Sequence, residues 1–364
     1  MISARDVTVI APNFKRRLSG VTSTIVQLLP LQAKRLPIAT MGPKVLPGNI
    51  PRLSYGALPA FWSRPASQPF RIWHARRNTE MLPGIIMRDV LGMPMRLVFT
   101  SAAQRHHSAY TRFLIRRMDA VIATSAKSGS YLKVPHRVIM HGVDCGRFCP
   151  DGELPLMDDA LAAKLKGKRV IGCSGRIRHQ KGTDLFVDAM IKVLKDRPDW
   201  VAVATGRTTG EHREFERDLK ARIASAGMED RILLVGEVDD IAPWFRHFDL
   251  YVAPPRNEGF GLTPLEAMAS GTPVIATDAG AFRELIVEGR TGSVVDGFSS
   301  DAIAEAIGPF MDDGDKRRAA SEAAIGHVRT RFPLEGEAER IGAVYDALWS
   351  GENSDRSTRG SRNS

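Results

Sequence analysis

Residues 249–281 read DLYVAPPRNEGFGLTPLEAMASGTPVIATDAGA: a strand, a glycine-bearing loop, a short helix and a second strand. The runs 249–253 and 273–277 are short, apolar and bounded by turn residues, the pattern of strands buried in a parallel sheet. Between them, Gly259 and Gly261 keep the backbone free of side chains just ahead of a helix predicted to take Thr263 as N-cap and Pro264 at its first position. The unpaired amides and dipole of such a helix would face a phosphate.

Two carboxylates bracket this loop, Glu258 before the helix and Glu266 one turn inside it. Thr263 and Glu266 have the spacing of a capping box, which needs no ligand, so Glu266 alone admits either role. The whole string Glu258-Gly-Phe-Gly-Leu-Thr-Pro-Leu-Glu266, followed by Ala-Met-Ala-Ser-Gly-Thr-Pro-Val-Ile, resembles the E-x7-E signature of retaining glycosyltransferases of family 4. The resemblance covers nearly all of residues 5–349 and is strongest in the C-terminal half. It implies an α/β protein of the GT-B fold, two Rossmann-like domains with doubly wound parallel sheets facing a central cleft. By the same resemblance Glu258 lies by the donor sugar, Glu266 holds the nucleotide ribose, and the backbone of Gly259, Phe260, Gly261, Leu262 and Thr263 cradles the diphosphate.

A second loop supports this one. Residues 170–173 start another sheet, and Gly175-Arg-Ile-Arg-His-Gln-Lys-Gly182 leads to its first helix. Arg176 and Lys181 would supply two fixed cations, neutralising a diphosphate leaving group without a metal. The stretch is similar to the Gly-Arg…Lys-Gly motif of the family, in which Arg176 and Lys181 join Glu258 as the catalytic set. Further donor contacts implied by the resemblance are Gly206 at the phosphates, the backbone of Val235 at the base, and Gly20 in the loop after the first strand; read alone, Gly20 is a plain turn. No Asp-x-Asp follows a strand in a position to hold a divalent ion. Neither a metal nor a cofactor beyond the nucleotide-sugar donor is expected.

The basic charge sits in one half of the chain. Residues 1–150 carry 22 Lys and Arg against 5 Asp and Glu, a balance of +17, whereas the remainder is −7. Such asymmetry points to a polyanionic partner for the first half, an anionic membrane surface or nucleic acid. A solvated basic surface without a partner is the plainer alternative. No RNP-like aromatic pattern, zinc-finger spacing or basic zipper accompanies the charge, so nucleic acid is not the expected partner. No run of 18 apolar residues occurs, and residues 1–6 lead straight into a strand, so a cytoplasmic protein bound peripherally to the inner face of the membrane is expected. Cys145, Cys149 and Cys173 lack zinc-site spacing.

The acceptor side is less legible. Lys15 and Arg16 follow the first strand, and Phe70-Arg-Ile-Trp-His74 is a strand whose carboxyl end carries His74, Arg76 and Arg77, where this architecture puts ligand contacts. His74 is equally compatible with a satisfied structural role. Residues 41–69 are rich in proline and expected to lack regular structure, leaving Phe61 and Trp62 exposed. The family's donor-contacting His falls at Thr100 or Ser101 here, with Arg105 and His106 as substitutes. The helix over residues 110–117 carries Arg112, Arg116 and Arg117 along one side, a face suited to acidic lipid.

The expected domains are 1–151 for the acceptor and 152–335 for the donor. The resemblance implies that a helix over 336–349 crosses back to the first domain, and the composition of 350–364 predicts a disordered tail. Within family 4, Trp73-His-Ala-Arg-Arg-Asn, Thr100-Ser-Ala-Ala-Gln-Arg-His-His and the 175–182 loop are similar to lipopolysaccharide core mannosyltransferases. That resemblance implies GDP-mannose as donor and a Kdo sugar on lipid A, an anionic glycolipid, as acceptor. A UDP-sugar enzyme acting on another anionic glycolipid or polysaccharide is the alternative.

Overall fold

The computed structural model describes residues 3–15, 20–44, 46 and 48–351. Its strands form two sheets, parallel throughout. The first contains β1 (Val9–Pro12), β2 (Ile38–Met41), β3 (Arg52–Leu53), β4 (Arg71–Ala75), β5 (Met95–Ser101), β6 (Ala120–Ala123) and β7 (Arg137–Val138), in the order β3-β2-β1-β4-β5-β6-β7. The second contains β8 (Arg169–Ser174), β9 (Trp200–Thr205), β10 (Ile232–Gly236), β11 (Leu250–Ala253), β12 (Val274–Thr277) and β13 (Gly292–Val295), in the order β10-β9-β8-β11-β12-β13. Each order runs outward from one strand and then restarts on its other side, so each sheet has a switch point, between β1 and β4 and between β8 and β11. Loops leaving the carboxyl ends there diverge and open a crevice.

Most of the strands are short runs of Val, Ile, Leu and Ala buried on both faces, as a parallel sheet sandwiched between helices requires. In the first sheet Ile10, Trp73, Leu97 and Phe99 enter one apolar cluster, while Val9, Ala11, Ile72 and Val98 enter another, the two-residue period of a pleated strand. The C-terminal helix Leu334–Ser350 completes the second of these clusters with Ala338, Ile341, Val344 and Tyr345. Its Trp349 indole donates to the Phe70 carbonyl at 3.1 Å.

The chain divides after Gly142 and again after Pro333. Val143–Pro333 is one compact unit, and the residues before and after it make the other. The boundary expected at 151/152 is therefore too late. Val143 already belongs to the second unit because its amide donates to the Phe332 carbonyl at 2.9 Å, and Phe148 packs on Phe245 with ring centroids 6.1 Å apart. On the other side of the crossing, Glu337 accepts from the Gly142 amide at 2.8 Å and meets the His141 ring at 2.6 Å.

The proline-rich stretch also needs correction. It contains β3 and a 3-10 helix, Tyr55–Trp62, that accommodates Pro59. Trp62 is exposed, but Phe61 is buried, with the Arg71 guanidinium 5.2 Å from its ring centroid. Residues 352–364 of the expected disordered tail lie outside the described residues.

Candidate active site

At the switch point of the second sheet, the loop after β8 brings in Lys181 and the loop after β11 brings in Glu258. The Lys181 ammonium lies 2.6 Å from Glu258 Oε2, while Oε1 accepts from the Gly259 amide at 3.0 Å. Sequence spacing places each residue in a loop, but the ion pair between them is visible only in the fold. Arg256 joins the same two loops. Its guanidinium forks onto Asp184 at 2.7 and 2.8 Å and donates to the His179 carbonyl at 2.7 Å, and its amide donates to the Gln180 carbonyl at 3.0 Å. Burial would raise the Asp184 pKa, but the Arg256 guanidinium outweighs it and holds the carboxyl below its ordinary value. Neither Arg256 nor Asp184 stands out in the sequence, since 72 residues separate them.

Backbone alone forms part of the crevice floor. Gly206 has φ +143°, and a Cβ there would lie 1.9 Å from the Gly175 carbonyl oxygen; its amide donates to the Gly236 carbonyl at 2.6 Å. At Gly261, with φ +88°, a Cβ would meet the Phe282 ring at 2.1 Å, so this turn tolerates no side chain.

The helix Thr263–Ala269 begins one residue earlier than expected. Leu262 is its N-cap, Thr263 already lies inside it, and no side chain caps it. Tyr251, in the strand before the loop, donates its hydroxyl to the Ser174 carbonyl at 3.3 Å. The capping box is not formed, and the Glu266 carboxyl is not consumed by it. Glu266 is 9% exposed, with no hydrogen-bond donor on its carboxylate among the described residues. Burial pushes its pKa up to about 7, against a smaller opposing pull from Arg147.

This has a measurable consequence. Because the folded pKa is raised from 4.5 to about 7, the folded state binds a proton that the unfolded state has released, and stability falls as pH rises across that window. Glu266→Gln should therefore melt with wild type near pH 4 and be more stable above pH 7 by about 3 kcal/mol. Thermal melts across this range check it; a constant difference with pH would contradict it.

The remaining donor-side residues are accounted for singly. Arg176 is exposed, with no acidic partner among the described residues, whereas Arg207 lies 3.7 Å from Glu237. Val235 is half-buried near the end of β10. The Phe260 ring is buried and its carbonyl accepts from the Ala281 amide at 3.0 Å, which shapes the loop.

Several acceptor candidates turn out to be structural. His74 is fully buried, with Nδ1 2.6 Å from the Tyr345 hydroxyl and Nε2 2.7 Å from the Thr100 hydroxyl, so neither ring nitrogen is left for a sugar. Burial, helped by Arg76, holds its pKa well below the usual histidine value. Arg76 is likewise buried and reaches back to the His74 carbonyl at 3.4 Å. Arg77 is half-buried and holds the first switch point together: it donates to Glu80 at 2.6 Å, Asn13 at 3.0 Å and Thr22 at 3.0 Å. Sequence reasoning missed Asn13 and Glu80 in this network. Lys15, Arg105 and His106 remain exposed, His106 against the edge of Tyr131, and Arg16 lies outside the described residues. Gly20 opens the helix Gly20–Gln32. A cavity of about 250 Å³ lined by Ile115, Arg116, His136 and Val344 touches Ala120 and Arg137, the first residues of β6 and β7, and so lies at the sheet edge opposite the ligand-binding one.

Residues 159–327 match the family described as glycosyl transferases group 1. The chain is 57% identical over 350 residues to the lipopolysaccharide core biosynthesis mannosyltransferase LpcC of Rhizobium leguminosarum bv. viciae, covering 96% of this chain and 98% of that one. It belongs to the group 1 glycosyltransferases. It is also 53% identical over 351 residues to LpsB of Rhizobium meliloti strain 1021, a protein of the same description, covering 96% of this chain and 99% of that one. The fold agrees with the structure of Anabaena HepE in complex with UDP, at TM-score 0.79 and 18% identity, covering 94% of this chain and all of that one. This glycosyltransferase thus has the two doubly wound sheets of a GT-B enzyme, with Lys181, Glu258 and Glu266 in the loops and helix around the switch point of its second sheet.

Proposed function

We propose that this glycosyltransferase moves mannose, with retention of configuration, from GDP-mannose to an inner-core Kdo sugar of lipid A-linked lipopolysaccharide at the inner face of the cytoplasmic membrane. The observation that carries the reading is the 57% identity to LpcC across 96% of the chain. The charge balance agrees with it, since the acceptor bears phosphates and carboxylates and the acceptor half of the chain carries +17.

In this reading the bond from the anomeric carbon to the diphosphate oxygen breaks, and its electron pair leaves with the nucleotide. The acceptor hydroxyl attacks on the same face and passes its proton to the departing phosphate. Lys181 and Arg176 stabilise the developing negative charge in place of a metal. Glu258, 2.6 Å from Lys181, aligns that ammonium before the donor arrives. Glu266 accepts hydrogen bonds from the ribose diol, which the unformed capping box leaves it free to do.

Calorimetric titration with GDP, UDP, ADP and CDP in EDTA tests the donor. Binding of GDP alone is expected, followed by turnover of GDP-mannose with Kdo-lipid A. Preference for UDP would discard mannose, a requirement for a divalent ion would discard the two-cation reading, and binding of none would remove the donor site.

A further inference from the structure

The helix Asn78–Ile85 continues into a π-helical turn, Ile86–Val90, and carries apolar residues on its core side and along one ridge of its outer side. Met81, Ile85 and Met87 are buried in the core of the first unit. Leu82, Ile86 and Val90, spaced by four, face solvent, Val90 with 74% of its surface open. A row of large apolar side chains open to solvent ordinarily marks an interaction surface. The exposed ridge is extended by its neighbours. The Trp62 indole donates to the Leu91 carbonyl at 2.8 Å, which fixes a 53% exposed ring at the end of the ridge. On the flank, Asn78 donates to the Thr111 hydroxyl at 2.7 Å, holding the helix Ala109–Arg116, which presents Tyr110 and Phe113 to solvent.

The charge around this ridge is of one sign. Residues 60–118 contain ten Arg, no Lys and two acids. One acid, Glu80, is buried against Arg77. The other, Asp89, is bonded by Arg88 at 2.6 Å and by Arg117, and the Arg88 guanidinium above all holds its carboxyl down at about 2. Asp119, just beyond, ties Arg88 at 2.6 Å and Arg96 at 2.9 Å, so arginines flank the ridge in fixed positions. Arg64, Arg112 and Arg116 are exposed around it.

We infer that Leu82, Ile86, Val90, Trp62, Tyr110 and Phe113 form a surface that inserts into the headgroup layer of an anionic bilayer, with the surrounding arginines on lipid phosphates. Apolar and aromatic side chains ringed by cations suit such an interface, where burial and charge attraction add. A second copy of the chain would set like charge against like charge. No helix among the described residues is long and apolar enough to cross a membrane. The inference gives residues to the membrane face of the proposed function and rests on that reading only in requiring a lipid-linked acceptor. It also extends the sequence expectation, which placed the contact on the arginine face of residues 110–117 and left Phe61 exposed, whereas Phe61 is buried and takes no part.

Flotation with vesicles of phosphatidylglycerol and phosphatidylcholine in equal parts, against phosphatidylcholine alone, tests it. Wild type should partition onto the anionic vesicles, less so in high salt. Ile86→Glu with Val90→Glu should lower that partition by at least about tenfold while leaving GDP titration and the melting temperature unchanged. Wild type that ignores anionic vesicles overturns the inference, as does a double variant that binds them equally. So does a wild-type dimer that the same substitutions split without any vesicle binding. Vesicle binding without transfer to Kdo-lipid A would sink the acceptor reading and leave the surface standing.

Discussion

Lys181→Ala and Glu258→Gln should each lower kcat/KM by about 10³-fold, the cost of deleting one preorganised charge aimed at a developing anion. The two substitutions are expected to act on nucleotide binding in opposite directions. In the wild-type protein the ammonium is partly neutralised by a carboxylate 2.6 Å away. Removing Lys181 deletes a cation that the diphosphate needs, so GDP should bind more weakly. Glu258→Gln frees the same cation, so GDP should bind at least as tightly although turnover is lost. The double variant should fall far short of the product of the single losses, because one ion pair is broken only once. Steady-state kinetics with calorimetry on the three variants checks this, and full turnover in either single variant would remove the pair from the chemistry.

Arg256→Ala should cost both stability and rate. It removes the fork onto Asp184 and the tie to the His179 carbonyl, leaving a largely buried carboxylate without its partner. Breaking such a pair costs about 3 kcal/mol, which in a protein of this size lowers Tm by about 4 °C. The loop carrying Lys181 then loses its anchor on the loop carrying Glu258, and a misplacement of that kind is expected to lower kcat by about 10²-fold. Arg256→Lys keeps the charge but not the fork and should recover only part of either loss. The pH dependence follows from the depressed Asp184 pKa. The stabilisation is present above the ordinary value of 3.8 and lost as pH falls through the folded value, so the gap between wild type and Arg256→Ala should close on acidification. A gap that stayed constant down to pH 2 would contradict this origin.

What could be read beforehand was what is local. The E-x7-E loop, the Gly-Arg…Lys-Gly loop and the alternation of strand and helix are each written within a few dozen residues, and each yields its element and its position at a strand end. What could not be read depends on partners far along the chain. His74 sits at the carboxyl end of its strand, where ligand contacts gather, but Tyr345, 271 residues later, takes one of its nitrogens. The lone carboxyl of Glu266 was obscured by a plausible capping box; only the one-residue shift of the helix start, with Leu262 as an N-cap that no side chain bonds, shows that the box is not made. Proline in residues 55–62 suggested a loop, and nothing in that stretch marks Phe61 for burial and Trp62 for exposure.

The discontinuity of the first unit bears on how the protein is made. Val143–Pro333 is a continuous stretch and can bury its whole core as soon as it has left the ribosome. The earlier-synthesised sheet cannot, because one of its faces is covered by Ala338, Ile341, Val344 and Tyr345, which are translated only after the whole of Val143–Pro333. The strands born first must therefore wait, with Val9, Ile72, Val98 and Ile122 incompletely covered, until the helix Leu334–Ser350 arrives. During synthesis this interval is the one most open to aggregation, and a chain ending near Pro333 would remain in it.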